Sequence, residues 1–279
     1  MALNSVNTNS GAMIALQNLQ RTNAELATVQ DRINTGRKVN SAKDNGAVWA
    51  IAQSQRAEVS SLNAVKDSLQ RGQSAVDVAI SAGESISDLL IQLKEKALAA
   101  KDTSIDTAAR TALNEDFKSI RDQIAKVVSN AEFNGVNMLK SGGTTFKALA
   151  NADGSSTIDV AAEVLKLSGS KVTITTTEVI NTVTTASAAL TKIDASIANV
   201  SASLARLGTG SKSLETHLNF VSKLQDTLEA GVGNLVDADL AKESARLQAL
   251  QVQQQLGAQA LSIANSAPQI ILQLFRGGG

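Results

Sequence analysis

Between residues 186 and 232, apolar side chains recur at alternating steps of four and three. The series runs Ala186, Leu190, Ile193, Ile197, Val200, Leu204 and Leu207. It continues through Ser211, Leu214, Leu218, Val221, Gln225, Leu228 and Val232. This heptad period holds one stripe against a partner helix. At about 1.5 Å per residue it predicts a helix about 70 Å long. A second series runs through Leu62, Val65, Leu69, Gly72, Val76, Ala79, Gly83, Ile86, Leu90, Leu93 and Ala97. Its helix is expected to start near Ser41, where Ser41 and Asp44 have capping-box spacing. Gly72 and Gly83 lie on the seam, where they either admit a close helix or merely weaken this one. A third helix is predicted over 105–131, with Leu113, Phe117, Ile120, Ile124, Val127 and Ala131 as its stripe. Thr103 and Asp106 repeat the capping-box spacing in front of it. Asn134-Gly135 then breaks the pattern. Pro268 is the only proline, so nothing in the earlier chain interrupts long helices.

From residue 141 to 185 the period changes. "TFKALANADGSSTIDV" predicts a hairpin turning at Asp153-Gly154, and "KVTITTTEVI" alternates as a strand does. Both ends of this insert return to the helical bundle, so it should form a tip or an outward face. Near the amino terminus, Ala12, Leu16, Leu19, Leu26 and Ile33 make an amphipathic stripe with Asn23 and Gln30 in its gaps. Leu247, Leu250, Leu261, Ile271, Leu272 and Phe275 make a comparable stripe near the carboxy terminus. Gly36 and Gly231-Gly233 are expected to separate these ends from the central helices. The pattern therefore predicts a pair of terminal helices, a central helical bundle and a small β segment.

Composition narrows the chemistry. Aromatics are only 2% of the chain, too few for an ordinary ligand pocket. Lys+Arg and Asp+Glu are both 26, so there is no basic excess for nucleic acid. Cysteine is absent, which excludes disulfides and thiolate sites. No run reaches the ~18 apolar residues of a membrane span. The first residues lack the pattern of a cleavable secretory signal. His217 is the only histidine and reads as a helix-surface residue. Asp237 and Asp239 read as helix-start decoration, where the dipole favours negative charge. No phosphate loop, nucleophile elbow or zinc spacing is present, so no catalytic, cofactor or metal residue is assigned. The terminal stripes cannot hide themselves completely, and "LQALQVQQQLGAQAL" is polar but uncharged. Many copies could pack such faces without repulsion, which points to self-assembly through the termini.

Specific stretches carry a resemblance. Asn7-Thr8-Asn9 with Asn18-Leu19, "INTGRKVNSAKDNGAVWAIA" (33–52), "EFNGVNML" (132–139), "VDADLAKES" (236–244) and "ANSAPQIILQLFR" (264–276) resemble, in order, segments of bacterial flagellin. The resemblance implies a mainly α fold in which long coiled-coil helices from both chain ends form a rod-like bundle. It implies an inner domain from 1–40 and 237–279, forming the polymer core. The rod-like helical domain would be 41–236, with 141–185 as its β-rich outer tip. The polymer-core interface would comprise Leu16, Leu19, Leu26, Val29 and Ile33. From the other end it would take Leu247, Leu250, Leu261, Ile271, Leu272, Leu274 and Phe275. Pro268 is expected in the first turn of a last helical piece. The implied partners are other flagellin subunits, the filament cap, hook-associated junction proteins, an export chaperone and the flagellar type III export apparatus. The implied location is extracellular, in the filament, with neither nucleic acid nor membrane insertion. Asn45 and Val48 depart from the family pattern, which bears on packing between inner and rod domains. The Thr/Ser-rich insert raises O-linked glycans at Thr144, Thr145, Ser155, Ser156, Thr173, Thr175, Thr177, Thr182 and Thr184. The alternative is ordinary β-propensity of Thr. Competing identities are a hook–filament junction protein and a coiled-coil type III secreted effector.

Overall fold

The computed structural model describes residues 8–276, and the side chains of 8–266. The apolar stripes become α1 (Ser10–Thr35), α2 (Gly46–Ala100), α3 (Thr107–Asn130), α4 (Val183–Val236) and α5 (Leu240–Arg276). The insert supplies β1 (Phe146–Leu149) and β2 (Thr157–Val160). Two compact units divide the described residues. One joins the chain ends, up to residue 57 and from residue 228, and the other is 58–227. The division falls within α2 and α4. The reason is local: Val39, Ala52, Val232 and Val236 bury one another with Val48, Trp49 and Leu235 packed on them.

In unit 58–227, all eleven positions of the α2 series are buried, Gly72 and Gly83 included. They meet Phe117, Ile124 and Val128 of α3 and the α4 series in one core. The seam glycines are close-approach positions. A Cβ on Gly72 would lie 2.7 Å from the Phe146 ring, and one on Gly83 would lie 2.7 Å from Leu204 Cδ2. On α4, a Cβ at Gly210 would lie 2.7 Å from Val160 Cγ1. Phe146 and Val160 are cross-strand partners in the antiparallel hairpin. The hairpin therefore seats one side chain of a single register pair on a glycine of each long helix.

The remainder of the insert runs along α4, to which Thr173 and Lys171 are bonded. "KVTITTTEVI" is not a strand. Its alternation is real, because Val172, Ile174 and Ile180 are buried. Its backbone, however, bonds to side chains: Thr173 N–H donates to Ser196 Oγ (3.0 Å), Thr175 N–H to Glu178 Oε2 (3.2 Å) and Ile180 N–H to Asn114 Oδ1 (2.8 Å). β-propensity records fit to a half-buried surface, and a helix face can supply that surface as well as a neighbouring strand. Arg121 Nη1 donates to the Glu178 carbonyl (2.9 Å), and Lys192 holds the Glu178 carboxylate at 2.8 Å. Glu163, 5% exposed, accepts from Nε and Nη2 of Arg206 at 2.8 Å and is also bound by Lys171. Burial alone would raise its pKa, but hydrogen bonds from Arg206, Lys171 and Ser203 outweigh it and lower the value from 4.5 to about 2.

Helix ends follow local chemistry. Asn45 caps α2, its Oδ1 accepting from Val48 N–H (3.1 Å). Ser41 does not start that helix. Asp44 instead folds the preceding turn, accepting from the Asn40 and Ser41 N–H groups at 3.0 and 2.9 Å. Those two backbone bonds hold its carboxyl below the usual range. Asp106 is itself the cap of α3 rather than the third residue of a box begun by Thr103, and accepts from Ala109 N–H (2.7 Å). Asn134 (φ +49°) and Gly135 (φ +82°) form the tight turn after α3, where both residues need the left-handed region. Buried Asn137 closes the α3 carboxy end by donating to the Val128 carbonyl (2.8 Å). Gly36, at φ +69°, terminates α1. Gly231 and Gly233 do not end α4, which continues to Val236. The two connections then pair with each other, Lys38 N–H to Val236 O (2.7 Å) and Ala238 N–H to Gly36 O (2.9 Å).

In the terminal unit α1 and α5 run antiparallel. Arg32 binds Glu243 (3.2 Å), Gln254 donates to Asn23 (2.8 Å), and Asn9 reaches Ala264. α5 runs through Pro268 without a break, so no separate last helix begins there. Proline has no N–H for the carbonyl four residues back, which is Ala264. Asn9 Nδ2 donates to that carbonyl at 2.6 Å, while its Oδ1 caps α1 by accepting from Ala12 N–H at 3.0 Å. One side chain thus serves an orphan donor of one helix and an orphan acceptor of the other.

Two measurements test these arrangements. Glu163→Gln should lower stability by about 2 kcal/mol at neutral pH. Because its folded pKa is depressed, the stabilisation is complete above about 4.5 and is lost as pH falls through about 2. Melting curves of the two proteins should therefore converge near pH 2; a gap that stays constant with pH would refute the ion cluster. Asn9→Asp should keep the α1 cap and lose the bond to Ala264, while Asn9→Ala loses both, at about 1 kcal/mol for the cap. Amide exchange should quicken in the first α1 turn only for the alanine variant.

Candidate functional site

α1 meets α5 through positions 12, 15, 19, 22, 26, 29 and 33, which are buried or half-buried. Leu19, Leu26, Val29 and Ile33 of the expected interface are therefore on the intramolecular seam, with Val29 buried. Leu16, Asn23 and Gln30 are exposed, and Ala15, Thr22 and Val29 take the places expected for them. Both sets have heptad spacing with 12, 19, 26 and 33. The smaller set allows closer helices. On α5 the seam is Glu243, Leu247, Leu250, Gln254, Gly257, Leu261 and Ala264. Leu19 inserts opposite Gly257, where a Cβ would lie 3.3 Å from Leu19 Cδ1. Ile271, Leu272, Leu274 and Phe275 lie in the last turns of α5, and their side chains fall outside the described residues.

The sequence pattern alone did not single out the other side of α5. Ala245, Ala249, Val252, Leu256 and Ile263 follow the same four-three rhythm two residues out of phase, about 200° around the helix. All five are exposed, and Ile263 is the most exposed large apolar residue described. On α1 exposed large apolar residues are confined to Met13, Ile14 and Leu16, in the first two turns. No charged residue occurs between Leu247 and Phe275. The pair therefore presents one long apolar and amide-bearing stripe with no charge to repel a like surface. The signal was available: two interleaved heptads in one helix, of which the larger leucines drew attention to the first.

The remaining candidates are engaged structurally or stand free. Asp239 caps α5, accepting from the Ala241 and Lys242 N–H groups at 3.1 Å. His217 donates Nε2–H to the Ala150 carbonyl (2.7 Å) and fastens the hairpin connection to α4. In the insert, the hydroxyls of Ser155, Thr173, Thr175 and Thr182 are held by Asp153, Lys192 O, Glu178 and Thr185 respectively. Thr144, Thr145, Ser156, Thr177 and Thr184 are exposed, with hydroxyls that make no hydrogen bond to described residues. Among the described residues, no helix is long and apolar enough to cross a membrane.

Comparison with known proteins accounts for a surface of this kind. Residues 6–144 match the model of the bacterial flagellin N-terminal helical region, and residues 190–275 that of the C-terminal helical region. The chain is 59% identical over 276 residues to flagellin FljK of Caulobacter vibrioides, covering 99% of this chain and 100% of that one. It is 38% identical to a flagellin of Brucella melitensis, covering 98% of this chain and 99% of that one. The fold is similar to the crystal structure of Bacillus cereus flagellin, with TM-score 0.50 and 21% identity, covering 55% of this chain and 88% of that one. It is also similar to a putative flagellar hook-associated protein of Vibrio parahaemolyticus, with TM-score 0.57 and 15% identity, covering 70% of this chain and all of that one. The last two likenesses concern fold alone. The full-length relatives argue against a junction protein or an effector. With matched helical regions at both ends and full-length relatives of the same short type, the chain belongs to the bacterial flagellin family, the structural subunits of the flagellar filament.

Proposed function

We propose that the terminal helix pair is the core of the polymer. α1 covers one seam of α5 inside each subunit, and neighbouring copies cover the outer stripe. The observation that carries this reading is the exposed line of Val252, Leu256 and Ile263. It supports a division of the expected interface into an intramolecular set and an intermolecular set. Leu19, Leu26, Val29, Ile33, Leu247, Leu250 and Leu261 belong to the first. Leu16 belongs to the second, and Ile271, Leu272, Leu274 and Phe275 lie outside the residues whose side chains are described. On this reading residues 1–40 and 237–279 are the inner domain, and 41–236 are the rod-like helical domain that includes 141–185. Family membership supports passage through the flagellar type III export apparatus with a chaperone. Assembly then takes place beneath the filament cap, beyond the hook-associated junction proteins.

A second reading concerns the insert. Its five free hydroxyls favour O-linked modification at Thr144, Thr145, Ser156, Thr177 and Thr184 over the four already engaged.

Combining Val252→Ser, Leu256→Ser and Ile263→Ser should raise the critical concentration for polymerisation at least about tenfold, since each removes roughly 1–2 kcal/mol of burial per contact. The melting of unit 58–227 should not change. Polymerisation of the triple variant at the unaltered concentration would exclude the stripe. Intact-mass measurement of native filaments should show mass beyond the sequence, removed by alanine at the free hydroxyls; a mass equal to the sequence eliminates the second reading.

A further inference from the structure

Asn-Gly occurs twice in the chain, at 45–46 and 134–135, and Asp-Gly once, at 153–154. In such pairs the glycine nitrogen can attack the side-chain carbonyl carbon of the residue before it, because glycine has no side chain to hinder the approach. The fold treats the three pairs differently.

Asn134 and Gly135 are the central residues of a four-residue turn. Phe133 and Val136 flank it and exchange both backbone bonds at 2.9 Å. Positive φ at both central residues, +49° and +82°, marks a type I′ turn. Both residues are exposed. Among the described residues, the Asn134 carbonyl, the Gly135 N–H and the Asn134 side-chain amide make no hydrogen bond. The central peptide can therefore turn over without breaking anything. That rotation converts type I′ into type II′, which keeps positive φ at the first central residue and both Phe133–Val136 bonds. Type II′ sets ψ of that residue to about −120°. The Gly135 nitrogen then eclipses Asn134 Cβ and comes within reach of Cγ.

The other two pairs are held. Asn45 Oδ1 accepts from Val48 N–H at 3.1 Å, and the Asn45 carbonyl accepts from Trp49 N–H at 2.9 Å. Reaching the same geometry there breaks the cap and first turn of α2. Gly154 N–H donates to the Asn151 carbonyl at 3.2 Å, and Asp153 Oδ1 accepts from Ser155 N–H at 3.1 Å. The Ser155 N–H holds the Asp153 carboxyl below its usual range, and an ionised carboxylate is a poor electrophile.

We propose that Asn134 is a site of spontaneous deamidation and isoaspartate formation. The Gly135 nitrogen gives its proton to solvent and bonds to Asn134 Cγ. The Cγ–Nδ2 bond breaks, and the nitrogen takes a proton from solvent and leaves as ammonia. Water then opens the succinimide ring at either carbonyl, giving aspartate or isoaspartate. Isoaspartate adds a methylene to the backbone of a turn closed by two bonds. Two residues beyond Gly135, buried Asn137 accepts from the Leu139 and Lys140 N–H groups at 2.8 and 2.9 Å and donates to the Val128 carbonyl. The modification therefore marks an aged subunit with a new carboxylate and loosens the closure of α3. It is independent of the proposed polymer core.

Ageing the purified chain in mildly alkaline buffer, followed by tryptic mapping, tests the assignment. Residues 44–56 and 127–140 fall in separate peptides. Asn134 should convert at least about tenfold faster than Asn45, where a cap and a backbone bond must break first. In denaturant the two rates should converge, because both pairs are Asn-Gly. Comparable rates in the folded chain, or a ratio that unfolding leaves unchanged, overturn the proposal. In a second arm, isoaspartate methyltransferase measures isoaspartate in the aged chain and in aged Asn134→Gly, where glycine suits the positive φ. The variant should lose most of the signal; retention of it places the reaction elsewhere and overturns the assignment. Amide exchange at Leu139 and Lys140 should quicken in the aged chain and not in the aged variant. Unchanged exchange in converted chain overturns the loosening of α3.

Discussion

A helix with apolar residues on two opposite faces can have only one of them covered by a single antiparallel partner. α5 is such a helix. Leu247, Leu250 and Leu261 face α1, and Val252, Leu256 and Ile263 face away from it. Exposed apolar area in a regular line is costly in water, at about 25 cal/mol per Å² left uncovered. The described residues offer no third terminal helix, and the face carries no charge to make it soluble. A structural subunit of a polymer resolves this constraint, because the cover arrives with the next copy.

The same problem arises on α4 and is solved inside the chain. Its heptad series alternates between buried and half-buried positions, while a second flank through Ala189, Ser196 and Ser203 is also buried. The insert covers that flank. It does so as irregular chain because α4 offers polar anchors at the right places. Ser196 accepts from Thr173, Asn199 donates to the Lys171 carbonyl at 3.1 Å, and Arg206 holds Glu163. The first two anchors replace bonds that a neighbouring strand would have made. The outer face of α5 carries apolar side chains instead of such anchors, and no described segment covers it. The contrast separates a face built to be closed within the subunit from one that remains available.

How much of this could be read in the residues varies with the number of competing arrangements. The α2 seam was fully legible: each of its eleven heptad positions is buried, and every charged residue of the helix falls outside them. The hairpin and the Asn134-Gly135 turn were legible because positive φ restricts residue choice. The α1 seam was half legible: two heptads share Ala12, Leu19, Leu26 and Ile33, and only packing against α5 selects Ala15, Thr22 and Val29. "KVTITTTEVI" misled because alternation reports burial of alternate side chains and does not specify which element buries them. Gly231 and Gly233 misled because a helix packed on Ala52 and Val39 tolerates the propensity cost of glycine, about 1 kcal/mol each. The outer stripe of α5 was written in the sequence but not separable from the inner one until the partner helix was placed.

The α5 stripe is uncharged, and hydrophobic attraction along it is nearly indifferent to small slides and rotations. A polymer held by that surface alone would have strong cohesion and weak register.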